Sequence, residues 1–293
     1  MATRISKGKG LIGMPEDMAE VMATHARVAS ERKHTVAIRD WVAGRSHITL
    51  PLIAGVLFLV CWQMEVFHRI FGLAVYQLPL PSNIWQAMVQ NRVLLLQSTL
   101  YTGTEIVGGF FAGSLLGWLV AVGSTFFPRF SVGGMWVVAS LNAVPIVALA
   151  PIMDNWLGDG ISSRIGVVAV ITMATMAVNA YKGMTSIERS YFELMHSYGT
   201  NRRQLFWKLR VRHSLPHVFA ALKINMSTSI IGSLVGEAFI SVEGLGYVLS
   251  NQVQLANMPI AWACIVIASG FGIVSYYLIA SIEKLVLSKP QRG

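Results

Sequence analysis

Five ionisable side chains fall inside, or at the edge of, long apolar runs: Glu105, Asp154, Lys223, Glu237 and, just past its run, Glu243. A charge at membrane depth is costly, so such residues face a bundle interior or a water-filled path and pair there. The chemistry open to them is recognition by charge and hydrogen bond, not bond-making. Glu105 lies deepest in its run. It stands four residues before the ladder Gly109, Gly113, Gly117 and so on roughly the same helical face. Two roles stay open for it, a border of a translocation path or a structural hydrogen bond. Glu105, Asp154 and Glu237 are the candidates for the path.

Other chemistries fit less well. His213 and His217 stand four apart, but Pro216 interrupts the turn and no acidic residue has metal-ligand spacing. Cys61 and Cys264 both fall inside apolar runs and read as buried small hydrophobes rather than a disulfide or a metal pair. No Gly-x4-Gly-Lys-[Ser/Thr] phosphate loop is present, and Gly8-Lys-Gly10 has neither its spacing nor its hydroxyl residue. The expectation is a chain with no metal and no bound cofactor, and not an enzyme.

The elements that position these residues follow from composition. Of 293 residues, 54% are hydrophobic and 13% charged, with a mean hydropathy of +0.56; soluble domains carry about a quarter charged residues. Six runs approach the ~20 residues that cross a bilayer core: 48–66, 103–125, 132–152, 165–181, 218–240 and 261–282. Backbone groups in lipid must pair within the segment, so the runs are expected as helices and the fold as an all-α membrane bundle of six spans. Pro145 and Pro151 break backbone bonds in the third run.

Of the 23 Lys and Arg residues, all but Arg69, Arg92 and Arg164 fall on one side of six alternating spans. Basic residues mark the cytoplasmic side, so both termini are expected there, and Lys223 is expected to extend toward that face. The net charge of +9 then reports topology, not nucleic-acid binding. Residues 1–47 form a polar extension, with Met18, Val21, Met22, His25 and Val28 at helical spacing and an interfacial elbow around Ile38, Trp41 and Val42. The first 40 residues hold no apolar run long enough for a cleavable leader.

The longest basic connector, residues 183–216, reads as two short helices broken by a glycine. Residues 186–198 form the first and 200–208 the second. Gly199 is placed to end the first in a left-handed conformation, and Asn201 with Gln204 can form a capping box for the second. Such a hairpin on the basic side of a membrane bundle points to a soluble partner.

Glu193-Leu-Met195, Gly199 and Leu215-Pro216 resemble the signature of permease subunits of bacterial ATP-binding-cassette importers: Glu-Ala-Ala, three residues, Gly and a downstream Leu-Pro, in a cytoplasmic loop before the penultimate span. Leu78-Pro-Leu-Pro-Ser82 is similar to a segment before span two in the nitrate, sulfonate and taurine branch. Pro145, Pro151, Trp156-Leu-Gly158, Glu237 and Gly244-Leu-Gly-Tyr247 also match, so the resemblance covers residues 48–288. Leu194 and Met195 depart from the two alanines, Arg212 from a proline, and Glu105 from an arginine that many relatives carry in span two.

The resemblance implies a type I importer permease fold in the bacterial cytoplasmic (inner) membrane. A second permease subunit, taken as an identical copy, completes the pore. An extracytoplasmic solute-binding protein delivers a small solute, and a separate cytoplasmic ATPase binds ATP and Mg. The coupling residues it implies are Glu193, Ser197, Tyr198, Gly199, Thr200, Asn201, Arg202, Arg203, Leu215 and Pro216, with a helix around Ser197–Asn201 seated on the ATPase. The competing reading is a secondary transporter or channel with Glu105 and Asp154 on its pathway.

Overall fold

The structure is a computed structural model and describes residues 49–287. The expected tail helix around Met18–Val28 and the elbow around Trp41 lie outside the described residues. Two compact units divide the chain, residues 1–67 and 68–293. In the first, helix α1 (Thr49–Gln63) is apolar but shorter than a full span; it ends before Glu65, which takes φ 61°. A short helix α2 follows (Val66–Phe71).

The second unit holds the bundle. Pro81 starts α3 (Pro81–Gln90), where a missing N–H costs nothing; Ile84 and Ala87 turn inward while Trp85 is exposed. Then come α4 (Arg92–Phe126), α5 (Pro128–Ser140), α6 (Ile146–Leu157), α7 (Ile161–Thr185), α8 (Arg189–Ser197), α9 (Arg202–Leu205), α10 (Val211–Ile240), α11 (Leu245–Gln254) and α12 (Met258–Leu287). Among the described residues, four stretches are long and apolar enough to cross a membrane: α4, α7, Arg202–Ile240 and α12.

Two expectations change. The third run is not one straight span: Gly133–Ala143 and Ile146–Leu157 meet at 104°, as a broken span or a re-entrant pair. The turn falls at Pro145, which has no N–H to carry the helix through and whose ring disfavours a helical residue before it; Val144 is extended, at ψ 125°. Pro151 sits inside α6 without ending it. In the connector, the second short helix does not stop at Lys208. It runs through a π-helical segment, Phe206–Arg210, directly into α10, giving 39 continuous residues that contain Pro216.

Lipid tails are as apolar as leucine, so helix association in a bilayer rests on close packing and hydrogen bonds rather than on water exclusion. The glycine ladder of α4 supplies the packing. A Cβ at Gly113 would overlap Thr172 and the Ala169 backbone, and one at Gly117 would overlap Met173 and crowd Met176. Thr172 Oγ1 donates within α7 to Val168 O at 2.8 Å and lies 3.2 Å from Gly109 O across the joint. Small side chains continue the core into α10, where Ala121, Met176, Ala180 and Ala221 form one cluster. Asn225 Nδ2 ties the three helices together by donating to Ser114 Oγ and Thr172 O, each at 3.0 Å.

Gly113→Val should therefore push α4 from α7 and lower the thermal transition of the purified protein, by about 1–3 kcal/mol of overpacking. Gly123→Val, where a Cβ meets nothing within 4 Å, should leave it unchanged. Equal transitions for the two variants would contradict the close α4–α7 contact.

Candidate functional site

Two constructions stand out, one inside the bundle and one at its end. The inner one begins on α4, where Tyr101 and Thr102 stand four and three residues before Glu105. On α10, Ser233 stands four residues before Glu237. Where these faces meet, Glu105 Oε2 accepts from Ser233 Oγ at 2.8 Å, and Glu237 Oε1 accepts from Thr102 Oγ1 at 2.6 Å. Arg164 arrives from the first turn of α7. Its Nε donates to Glu105 Oε1 at 2.9 Å, and its NH2 donates to the Tyr101 hydroxyl at 2.7 Å. Its NH1 reaches Ile240 O, the last residue of α10, at 3.3 Å. Glu105 and Glu237 are both 0% exposed, and Arg164 3%.

The same network holds the turn into α11. Gly246 N donates to Glu237 Oε2 at 2.6 Å, and Leu245 N donates to Thr102 Oγ1 at 2.8 Å. These are orphan donors of a helix N-terminus, satisfied here by buried side chains from other helices. The glycines of Gly244-Leu-Gly-Tyr247 follow from this approach. Gly244 takes φ +97°, and a Cβ there would overlap the Glu237 carboxylate; one at Gly246 would overlap Leu234 O.

The three sequence-level candidates for a path separate in the structure. Glu105 and Glu237 come together, enclosed, so neither side chain lines an open passage in this conformation. Asp154 lies apart and half-buried near the end of α6, where Oδ1 accepts from Ser163 Oγ at 3.2 Å. Lys223, about one-fifth exposed, pairs with Glu283 of α12 at 2.9 Å. Glu243 is exposed and borders a cavity of about 360 Å³ with Tyr101 and Tyr247. Sequence reasoning missed Arg164, which was counted with a connector, and Thr102 and Ser233, whose spacing from the two glutamates was the available signal.

The second construction is the connector hairpin. Gly199, at φ +63°, ends α8. Its N–H reaches His196 O at 2.9 Å and Thr200 N reaches Met195 O at 3.3 Å, the paired bonds of a Schellman motif. Asn201 and Gln204 then form the expected capping box, at 2.8 and 3.1 Å. Glu193 pairs with Arg189 at 3.1 Å, an exposed pair of little energetic consequence. Ser197 Oγ donates to Glu193 O at 3.0 Å and Thr200 Oγ1 to Met195 O at 2.7 Å. Phe206 fastens the hairpin to the far end of α4 through Phe126, ring centres 5.0 Å apart. Arg202, Arg203, Leu194 and Tyr198 face outward. Leu215 is half-buried and Pro216 exposed at the start of α10.

His213 and His217 stack at 6.4 Å between ring centres. His213 Nδ1 meets Gly183 O at 2.9 Å, so the pair joins α10 to the end of α7. Among the described residues, no group of three or more His, Cys, Asp or Glu is arranged to hold a metal ion.

The inner network makes one demand testable by itself. Arg164→Met strips the guanidinium from the enclosed Glu105 carboxyl and should cost about 3–5 kcal/mol, as breaking a buried ion pair does. Lys223→Met, at a pair about one-fifth exposed, should cost far less. The check is the melting temperature and folded yield of each variant in detergent; equal losses would contradict the ranking.

Comparison with known proteins gives this arrangement a family. Residues 113–288 match the family described as "Binding-protein-dependent transport system inner membrane component". The formylaminopyrimidine transport permease protein ThiX of Halalkalibacterium halodurans is 31% identical over 250 residues, 81% of this chain and 94% of its own. The riboflavin transport system permease protein RibX of Chloroflexus aurantiacus is 27% identical over 262 residues, 88% of this chain and 94% of its own. Permease proteins named for taurine, aliphatic sulfonate and nitrate transport also match. Among solved structures, an inward-facing MetNI methionine ABC transporter chain shares the fold, with a TM-score of 0.58, 18% identity, and coverage of 69% of this chain and 99% of that one. The chain belongs to the binding-protein-dependent inner-membrane transport family, in its nitrate, sulfonate and taurine branch, as a multi-pass permease subunit of an ABC importer for a small solute.

Proposed function

We propose that the hairpin 186–208 is the element through which an ATPase subunit moves this permease. The supporting observation is its surface. Helix α8 buries none of its residues, yet it presents Tyr191, Leu194 and, just past it, Tyr198 at 52%, 53% and 77% exposure. Two helical caps hold these apolar groups in a fixed geometry beside Arg202 and Arg203. A groove with apolar walls and an acidic rim is the complement of such a surface. Glu193, Ser197, Gly199, Thr200 and Asn201 act by shaping the hairpin. Leu215 and Pro216 carry its movement into α10, with which it is continuous.

The wider assembly follows the family pattern. Two identical permease subunits form the pore, an extracytoplasmic binding protein delivers the solute, and ATP and Mg stay on the ATPase. Each subunit contributes six spans, α1 and the broken α5–α6 pair among them, with both termini and the hairpin in the cytoplasm. Residues 1–47 are a cytoplasmic extension to the permease domain, residues 48–288. Asp154, half-buried, borders the path, while Glu105 and Glu237 stand behind its wall and hold it together.

Gly199→Val places a branched side chain in a left-handed conformation that costs about 1–2 kcal/mol for ordinary residues. The expected result is normal membrane abundance with weakened ATPase copurification; unchanged copurification and transport would refute the docking role. Topology has its own check. A cysteine at Ser197 should resist an impermeant thiol reagent added to intact cells, and one at Asn91, at the opposite end of α4, should react. Reversed labelling would overturn the orientation.

A further inference from the structure

Glu105 and Glu237 are enclosed side by side, and the bonds around them leave an unbalanced charge. Each carboxyl is held from the opposite helix, Glu105 by Ser233 of α10 and Glu237 by Thr102 of α4. This cross-bracing sets the two enclosed carboxyl groups side by side where the faces of α4 and α10 meet. Two ionised carboxylates so placed would each present only acceptors to the other. Among the described residues, their surroundings offer one full positive charge. Tyr101 and Thr102 face them from α4 and Ser233 from α10, and Arg164 alone is cationic. The backbone N–H groups of Leu245 and Gly246 face them from α11, and Cys264, 1% exposed, from α12. Asp159 also reaches Arg164, at 3.7 Å, but its side chain is 85% exposed and water screens it.

We infer that Glu105 and Glu237 form a proton-binding site, a carboxyl pair that shares one proton and carries a single negative charge against Arg164. The proton belongs to the pair, not to either residue. It converts a repulsive contact into a hydrogen bond and brings the junction to neutrality, which burial out of bulk solvent favours strongly. One bound proton thereby holds α4, α7, α10 and the start of α11 as a single body. Nothing in the transport reading requires this site, and the two can fail separately.

The test is infrared spectroscopy of the permease assembled with its ATPase in lipid nanodiscs at neutral pH, with ¹³C-labelled glutamate. The wild type should show a labelled band from a protonated carboxyl that exchanges slowly with deuterium. Glu237→Gln should abolish that band while the melting temperature stays within a few degrees of wild type. Glu105 then remains the single charge facing Arg164, and the amide can accept from Gly246 N–H and donate in place of the shared proton. Glu105→Gln should abolish the band as well, and Glu243→Gln should leave it intact. A wild type without a protonated glutamate band overturns the inference, as does a band that survives both single substitutions. Failure of both single variants to fold also overturns it, because a one-proton pair keeps charge balance in Glu237→Gln.

Discussion

Arg164 and Glu105 meet deep inside the bundle, 3% and 0% exposed. Their pairing across α7 and α4 fixes the first turn of α7, and two further guanidinium N–H groups donate to Tyr101 and to the last carbonyl of α10. A buried pair of this kind is weak evidence for net stability, since dehydrating both charges offsets most of their attraction. Its consequence is position. Once Glu105 and Arg164 are enclosed, every nearby polar group must be satisfied in one arrangement, and the helices that carry those groups lose the freedom to slide.

The glycine contacts and the polar network constrain the same joint in different ways. The ladder Gly109, Gly113, Gly117 sets how closely α4 approaches α7, and Asn225 locks α10 against both. At one end of the bundle, Glu237 and Thr102 hold the turn into α11. Toward the other, Phe126 and Phe206 hold the hairpin on α4. Because the hairpin runs through a π segment into α10 without a break, a displacement applied there is delivered to the helix that carries Ser233 and Glu237. Rigid elements packed on one another move as bodies rather than deform, and an importer driven from one side of the membrane requires such transmission.

Much of the local structure was legible because it depends on neighbours in sequence. Gly199 with its left-handed turn and the Asn201–Gln204 capping box each rest on a residue whose backbone chemistry decides the matter within a turn of helix. The ladder in α4 was legible as a packing face, since four-residue spacing puts its glycines on one side. What spacing could not supply was the partner. Arg164 stands 59 residues from Glu105, and counting it among connector charges hid that it enters the bundle. The right-angled course of α5 and α6 and the continuity of α9 with α10 also escaped, because both turn on how one element packs against another. The path assigned to Glu105 and Glu237 rested on the cost of charge in lipid, which an enclosed pair answers as well as an open channel does.

The claim on which the account most depends is that the exposed hairpin meets an ATPase. A photo-crosslinking amino acid at Tyr198, activated in intact membranes, tests it directly. The account predicts one dominant product, a cytoplasmic ATPase subunit, lost when the probe is moved to Trp85 on α3. Products confined to lipid, or to a protein on the extracytoplasmic side, would contradict it.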